Sequence, residues 1–200
     1  DSSPKERETQ ICMNDYKYVD LILGKQCQTK MGRGGIRPLE FKTFSKEMQN
    51  AITNYCQAGG NFFVSGAYVA SDLWDNRLVK ANEEDKKFAM EVLKYKWRVG
   101  QAARNGKVKS VASPFPEITG SYTYYQDLNP ESYVVESPDA LEPAAQGAFT
   151  ILRYSENNLS AGIAYKGNYK TCVLGFPFEA IRTVTERELL MKAILTFFEH

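Results

Sequence analysis

The sequence predicts an α/β protein in which helices pack on a mostly parallel β-sheet. Two observations indicate this class. Short apolar runs typical of buried strands alternate with helical periodicity near both ends of the chain. A β-rich, aromatic stretch at about residues 107–168 separates the two ends and is predicted to be an insertion. Two hundred residues, 43% of them hydrophobic, suit one domain with a substantial core.

The first elements follow from local signals. Ser3-Pro4 is a typical helix start, and it predicts a short helix that ends near Met13. Tyr18 to Leu23 is an apolar run closed by Gly24, so we expect a strand there. The segment KMGRGGIRP (30–38) lacks the spacing of a phosphate-binding loop, and no helix follows it directly. It therefore predicts a mobile surface loop.

The middle of the chain predicts a helix, a strand and a second helix. Apolar residues recur at helical spacing from Phe44 to Gln57, and two glycines follow. Phe62 to Val64 is a continuous apolar run, which predicts a buried strand. Asn82 precedes three acidic residues, a pattern typical of a helix N-terminus. The buried face of this helix is predicted to comprise Phe88, Val92, Tyr95 and Val99.

The last part of the chain predicts a hairpin, a strand and a closing helix. Two alternating strands are joined by Glu156-Asn157-Asn158. Cys172 to Leu174 predicts a buried strand that turns at Gly175. Thr185 followed by Glu188 predicts the capping box of the last helix.

Composition excludes several functional classes. The formal net charge is +1 with acids and bases interspersed, so no nucleic-acid partner is expected. The apolar runs are too short to span a membrane. Four cysteines without metal-type spacing indicate neither a metal site nor a disulfide scaffold, and no cofactor is expected. Cys56 and Cys172 lie in apolar patterns and are predicted to be core residues.

Two groups of side chains remain as candidates for ligand binding. Asp72 and Asp75 are three residues apart, and we expect them to face solvent; Glu179 is expected to pair with Arg182 or with backbone amides. The segment around residues 115–133 is rich in tyrosine. Its aromatic rings are expected to cover one end of the sheet, and a glycan- or protein-binding surface is the alternative.

Three segments together resemble the class I glutamine amidotransferase-like superfamily, which has a flavodoxin-like three-layer α/β sandwich. They are YKYVDLILG (16–24), GGNFFVSGAYVAS (59–71), and VLGFPFEAI with the following ERELLMKAILTFF (173–198). The resemblance implies a single domain over residues 1–200. It also implies an active-site elbow near Ser65 and a catalytic glutamate at Glu179.

The catalytic triad of that family is not complete in this sequence. Pro177 stands where the resemblance implies a histidine, and Gly66 or Ala67 stands where it implies the nucleophilic cysteine. The only histidine is His200. A cysteine or serine nucleophile needs a base beside it. Ser65 and Glu179 therefore remain only weak catalytic candidates.

A closer resemblance joins GGNFFVSGAYVASDLW (59–74), SPDALEP (137–143) and YKTCVLGFPFEAI (169–181) to secreted proteins of Bacteroidetes that are labelled putative xanthan lyases. It implies export, so a secreted or periplasmic location is expected, together with a polysaccharide or cell-wall context. Those proteins also carry a first strand that this sequence lacks, so the strand is expected either to lie on a removed segment upstream of Asp1 or to be absent from the sheet. Because the sequence begins with Asp1 and shows no signal peptide, it is expected to be a piece of a longer protein.

These expectations lead to a non-catalytic accessory or binding module of a polysaccharide-processing protein. Its partners would be carbohydrate or other domains of the same protein. The alternative is a carbohydrate-active hydrolase or lyase that uses the Ser65–Asp75 loop and the Glu179 turn. Such loops follow strand carboxyl ends, where open α/β sheets bind ligands. The candidate ligand-binding residues are Ser65, Gly66, Tyr68, Asp72, Tyr124, Tyr125, Glu179 and Arg182.

Overall fold

The computed structural model describes residues 12–30, 39–74 and 82–200. Within these ranges the helices are α1 (Lys46–Gln57), α2 (Ser71–Trp74), α3 (Glu83–Phe88) and α4 (Val184–Glu199). The strands are β1 (Tyr18–Ile22), β2 (Thr29–Lys30), β3 (Leu39–Glu40), β4 (Asn61–Ser65), β5 (Tyr95–Val99), β6 (Lys107–Ser110), β7 (Ser121–Thr123), β8 (Ala140–Pro143), β9 (Ala148–Tyr154), β10 (Ser160–Lys166) and β11 (Lys170–Leu174). Short 3₁₀ turns occupy Met13–Asp15 and Phe178–Ala180, and a π-helical turn, Ala89–Leu93, extends α3.

The main sheet has seven strands in the order β1-β4-β11-β10-β9-β6-β7. Strand β4 is parallel to both β1 and β11, whereas every other neighbouring pair is antiparallel. The sheet is therefore mixed and curled, with mostly antiparallel strands. The prediction of a flavodoxin-like sandwich with a mostly parallel sheet is wrong.

The strand connections explain this difference. Only residues 167–169 join β10 to β11, and a parallel connection needs a crossover of a dozen residues or more. The hairpin β9–β10 was expected to lie in an insertion, but it pairs directly with β11 on one side and β6 on the other. The β-rich stretch thus forms the larger half of the main sheet.

Each face of the sheet carries its own hydrophobic core. On one face, Phe62 and Val64 of β4 pack with Ile52, Tyr55 and Cys56 of α1. The alternate residues of β4 and β11 point to the other face, because side chains alternate along a strand. There Phe63, Cys172 and Leu174 pack with the buried stripe of α4, which comprises Leu190, Ala193, Ile194, Phe197 and Phe198.

Most local predictions are confirmed, with small shifts. The helix after Asn82 is an exception: it and the π-helical turn end at Leu93, so the prediction that Tyr95 and Val99 lie on this helix is wrong, and both belong to strand β5. Asn82 caps α3 by accepting a hydrogen bond from the Glu84 amide at 3.0 Å. The closing helix begins earlier than predicted: its capping box is formed by Thr183 and Glu186, not by Thr185 and Glu188. Cys56 and Cys172 are buried free thiols, as predicted.

Some predictions lie outside the described residues. These are the helix from Ser3, apart from the turn at Met13–Asp15, and most of the segment 30–38. In the described part of the chain, every helix is too short or too polar to cross a lipid bilayer.

Candidate functional site

The loops that follow β1 and β4 meet the end of β5 around a pocket of about 340 Å³, which we call the Trp97 pocket. This size lies at the lower end of the range for small-molecule sites. Its described lining residues are Cys27, Gln28, Tyr68, Ser71, Asp72, Trp97, Val99, Gly100, Gln101 and Ser137. An indole, a phenol, two amides and two hydroxyls thus face one concave space.

Asp72 holds the loops of this pocket together. Its Oδ1 accepts a hydrogen bond from the Gln28 amide at 2.8 Å. Its Oδ2 accepts from both the amide and the hydroxyl of Thr43, each at 2.8 Å. The side chain is buried, so the expectation that Asp72 faces solvent is wrong. Asp75, its predicted neighbour, lies outside the described residues.

A second carboxyl group, Asp139, lies behind the pocket and is fully buried. Its Oδ2 accepts hydrogen bonds from the amides of Ala70 and Ser71, each at 2.8 Å, and from the Ser71 hydroxyl at 3.2 Å. Burial raises the pKa of this carboxyl group to about 7, although these donors favour the charged form. Asp139 therefore fixes the start of α2 while titrating near neutral pH.

Two buried polar atoms at this pocket have no hydrogen-bond partner in the described structure: Asp139 Oδ1 and Trp97 Nε1. The indole N–H is close enough to lower the pKa of Asp139 slightly, but it does not reach hydrogen-bond geometry. Buried polar atoms are normally paired, so an unpaired donor and an unpaired acceptor are uncommon in a folded protein. Glu179 Oε2 is likewise buried and unpaired in the described structure.

A second concave region, the Glu179 cleft, measures about 390 Å³ and includes Ile22 at the end of β1. Its described lining residues are Ile22, Tyr125, Glu131, Ser132, Phe178, Glu179, Arg182 and Arg187. Glu179 does not pair with Arg182, contrary to the prediction. The Tyr133 hydroxyl donates to Glu179 Oε1 at 2.5 Å, while Arg182 contacts Asp127 at 3.3 Å.

Asp20, on the edge strand β1, interacts with Glu179. Partial desolvation and then the charge of Glu179 raise the pKa of Asp20 to about 6. The Asp20 residue nevertheless keeps an exposed surface. Asp20 is not among the described residues that line the cleft, so its link to Glu179 is an electrostatic one, without a hydrogen bond between the two side chains in the described structure.

The remaining predicted site residues are buried away from both cavities. The Ser65 hydroxyl is fully buried and accepts a hydrogen bond from the Phe178 amide at 3.2 Å. A β-carbon on Gly66 would lie only 3.0 Å from Leu23 Cβ. Tyr124 stacks on Phe176 with ring centroids 5.0 Å apart. This packing makes Ser65 unsuitable as a nucleophile.

The structure thus places the predicted residues in two separate regions. Tyr68 and Asp72 line the Trp97 pocket, and Tyr125, Glu179 and Arg182 line the Glu179 cleft. Sequence reasoning missed Asp20, Trp97, Gln101 and Asp139. One signal pointed to Asp20, since a charged residue inside an apolar strand is unusual. The other three are brought to the site by tertiary folding alone.

Comparison with known proteins gives a fold likeness and no family. No protein-family model and no curated protein matches the chain. A β-galactosidase from Rahnella sp. R3 superposes with a TM-score of 0.55 and 12% identity, over 95% of this chain and 24% of that one. Gan42B, a GH42 β-galactosidase from G. stearothermophilus, gives a TM-score of 0.52 and 10% identity, over 92% of this chain and 22% of that one.

These findings correct the family relationship that the sequence resemblances implied. The chain resembles part of two glycosidase chains in fold, and its sheet is mostly antiparallel. The assignment to the amidotransferase-like superfamily is therefore wrong, as is the closer assignment to Bacteroidetes proteins labelled putative xanthan lyases. The chain spans less than a quarter of the length of either glycosidase chain.

Proposed function

We propose that this chain is a non-catalytic carbohydrate-binding module of a larger polysaccharide-processing protein, with the Trp97 pocket as its sugar site. The composition of the pocket wall carries the proposal. An indole and a phenol offer flat apolar surface, and Gln28, Gln101 and Ser137 offer hydrogen-bonding groups. A sugar ring presents C–H groups on its faces and hydroxyls at its rim, so it matches both kinds of surface.

Two further observations support a binding role over a catalytic one. The Ser65 hydroxyl is used by the Phe178 amide, and His200, the last residue, is the only histidine of the chain. The glycosidase likeness is consistent with a module inside a carbohydrate-active protein, although fold alone does not determine function. A secreted or periplasmic location stays a prediction.

The proposal predicts that binding depends on the indole of Trp97. We expect the wild-type chain to bind at least one of three soluble neutral polysaccharides, a β-glucan, a galactan or a mannan, in titration calorimetry. Trp97→Ala should weaken that binding by about fivefold or more, because it removes a stacking surface worth about 1 kcal/mol or more. Trp97→Phe should retain part of the affinity.

Tyr125→Ala is the matched control, since Tyr125 lies in the Glu179 cleft. It should leave binding unchanged. Failure of all three polysaccharides to bind would contradict the proposal, as would equal binding by wild type and Trp97→Ala. A loss confined to Tyr125→Ala would move the sugar site to the Glu179 cleft.

A second variant separates binding from stability. Gln101 has a left-handed backbone with φ of 51°, a conformation that favours glycine. Gln101→Gly should therefore preserve or raise the melting temperature while it weakens sugar binding several-fold, because one amide of the pocket wall is lost. Unchanged affinity, measured together with the thermal melt, would remove Gln101 from the site.

A hydrolase or lyase remains the second candidate function, because Glu179 lines the second cleft and its charge contributes to the raised pKa of Asp20 on strand β1. A hydrolase would release reducing ends from the same polysaccharides, whereas a lyase would release unsaturated products only from polysaccharides that contain uronic acid, because β-elimination needs a carboxylate beside C5. Glu179→Gln would abolish either release. The binding-module proposal expects no product from either protein. Product formed by wild type and lost in Glu179→Gln would establish the enzyme instead.

A further inference from the structure

The Trp97 pocket carries an unbalanced negative charge. Its described lining includes no lysine, arginine or histidine, and its ionisable members are Cys27, Tyr68 and Asp72. Burial and the charge of Asp72 raise the pKa of the Cys27 thiol, and burial raises the pKa of the Tyr68 phenol. Both groups therefore stay protonated at neutral pH. The hydrogen-bonded carboxylate of Asp72 is the charge that remains in the wall.

Asp139 adds a second acidic group directly behind the wall. A β-carbon built on Gly100 would lie 3.6 Å from Asp139 Oδ1 and 3.7 Å from Ser71 Cβ, and both Gly100 and Ser71 line the pocket. The Asp139 charge also contributes to the raised pKa of Tyr68, which lines the pocket. Its field therefore reaches the space that a ligand would occupy.

The one described salt bridge beside Tyr68 does not offset this charge. Lys25, in the loop after β1, contacts Glu136 at 2.6 Å and also donates to the Val134 carbonyl at 3.1 Å. The charge of Glu136 likewise contributes to the raised pKa of Tyr68. Lys25 is thus paired with Glu136. Its charge does reach Cys27 of the pocket wall, but it lowers the pKa of that thiol by less than the charge of Asp72 raises it. Among the described residues that line the pocket there is no lysine, arginine or histidine.

We infer that the Trp97 pocket accepts neutral sugar residues and rejects sugars that carry a carboxylate, phosphate or sulfate group. The inference rests on the proposed function and names the ligand class for the same site. An anionic substituent entering the pocket would lose water and meet Asp72 and, at pH values above about 7, a charged Asp139, and both charges repel it. A neutral hydroxyl at the same position can donate a hydrogen bond to an oxygen of the wall and meets no such repulsion.

The test uses matched pairs of ligands that differ only in charge. The β-glucan, galactan and mannan are each compared with a form oxidised at C6, in which the primary hydroxyl has become a carboxylate. We expect the neutral form to bind about tenfold or more tightly than its oxidised partner at pH 8 and low salt. Added sodium chloride should raise the affinity for the oxidised form and leave the neutral form unchanged, because salt screens repulsion.

Asp139→Asn provides an independent check, since asparagine keeps an oxygen for the Ala70 and Ser71 amides but carries no charge. It should reduce the preference for the neutral form; the salt series on the wild-type chain decides the question if this variant folds poorly. Equal or tighter binding of the oxidised polysaccharide would overturn the inference about ligand charge and would leave the proposed sugar-binding function in place. Absence of binding to either form would overturn the proposed function and the inference together.

Discussion

Replacement of Gly175 by alanine is expected to lower the free energy of unfolding by about 3 kcal/mol or more. A β-carbon at this position would lie 2.0 Å from the carbonyl oxygen of Asp139, far inside van der Waals contact with backbone. The two segments cannot separate easily, because the Asp139 amide donates to the Gly175 carbonyl at 2.7 Å. The Tyr154 hydroxyl also donates to the Asp139 carbonyl at 2.7 Å.

Gly100→Ala is the control for this substitution. Its new β-carbon would make ordinary contacts at 3.6 and 3.7 Å, so we expect a change within about 0.5 kcal/mol. Urea unfolding followed by circular dichroism measures both variants. A Gly175→Ala protein as stable as Gly100→Ala would show that the close approach of Gly175 to Asp139 is not essential to the fold.

The same glycine shows what local sequence patterns can predict. Gly175 after an apolar run correctly predicts a turn at the end of β11. Glycine is needed there because the Asp139 carbonyl lies so close. Asp139 immediately precedes β8, more than thirty residues earlier in the chain. Periodicity describes neighbours along one element and contains no information about this contact.

The prediction of the fold class was wrong for a related reason. The strands β9 and β10 were predicted from their alternation, and they form with the expected turn between them. Their place in the sheet depends on pairing with β6 and β11, which alternation does not specify. The three-residue connection between β10 and β11 was the available signal, since it requires antiparallel strands.

The candidate site combines residues that the sequence pointed to with residues that it did not. The loop after β4 was a predicted ligand-binding region on topological grounds, and Tyr68 and Asp72 of that loop line the Trp97 pocket. Their role in binding stays a prediction. Trp97 and Gln101 reach the same pocket only because β5 ends beside that loop, in a ribbon with β8 outside the main sheet. Chain order alone does not reveal that arrangement.

The second large effect concerns pH: we expect the protein to lose stability as pH rises from about 4 to about 7. The pKa of Asp139 rises from an ordinary value of 3.8 to about 7 in the folded chain because the group is buried. Between these values the folded state binds more protons than the unfolded state, so deprotonation favours unfolding. The full span corresponds to roughly 4 kcal/mol, reached near pH 7 and nearly constant at higher pH.

Asp139→Asn should flatten this pH dependence, because the amide keeps an acceptor for the Ala70 and Ser71 amides and does not titrate. Asp20 titrates in the same direction, with a pKa of about 6, but its exposed surface makes its contribution smaller. Asp20→Asn is therefore the matched control and should keep most of the slope. Urea midpoints measured from pH 4 to pH 9 compare the three proteins. A wild-type slope retained by Asp139→Asn would assign the pH dependence to other groups.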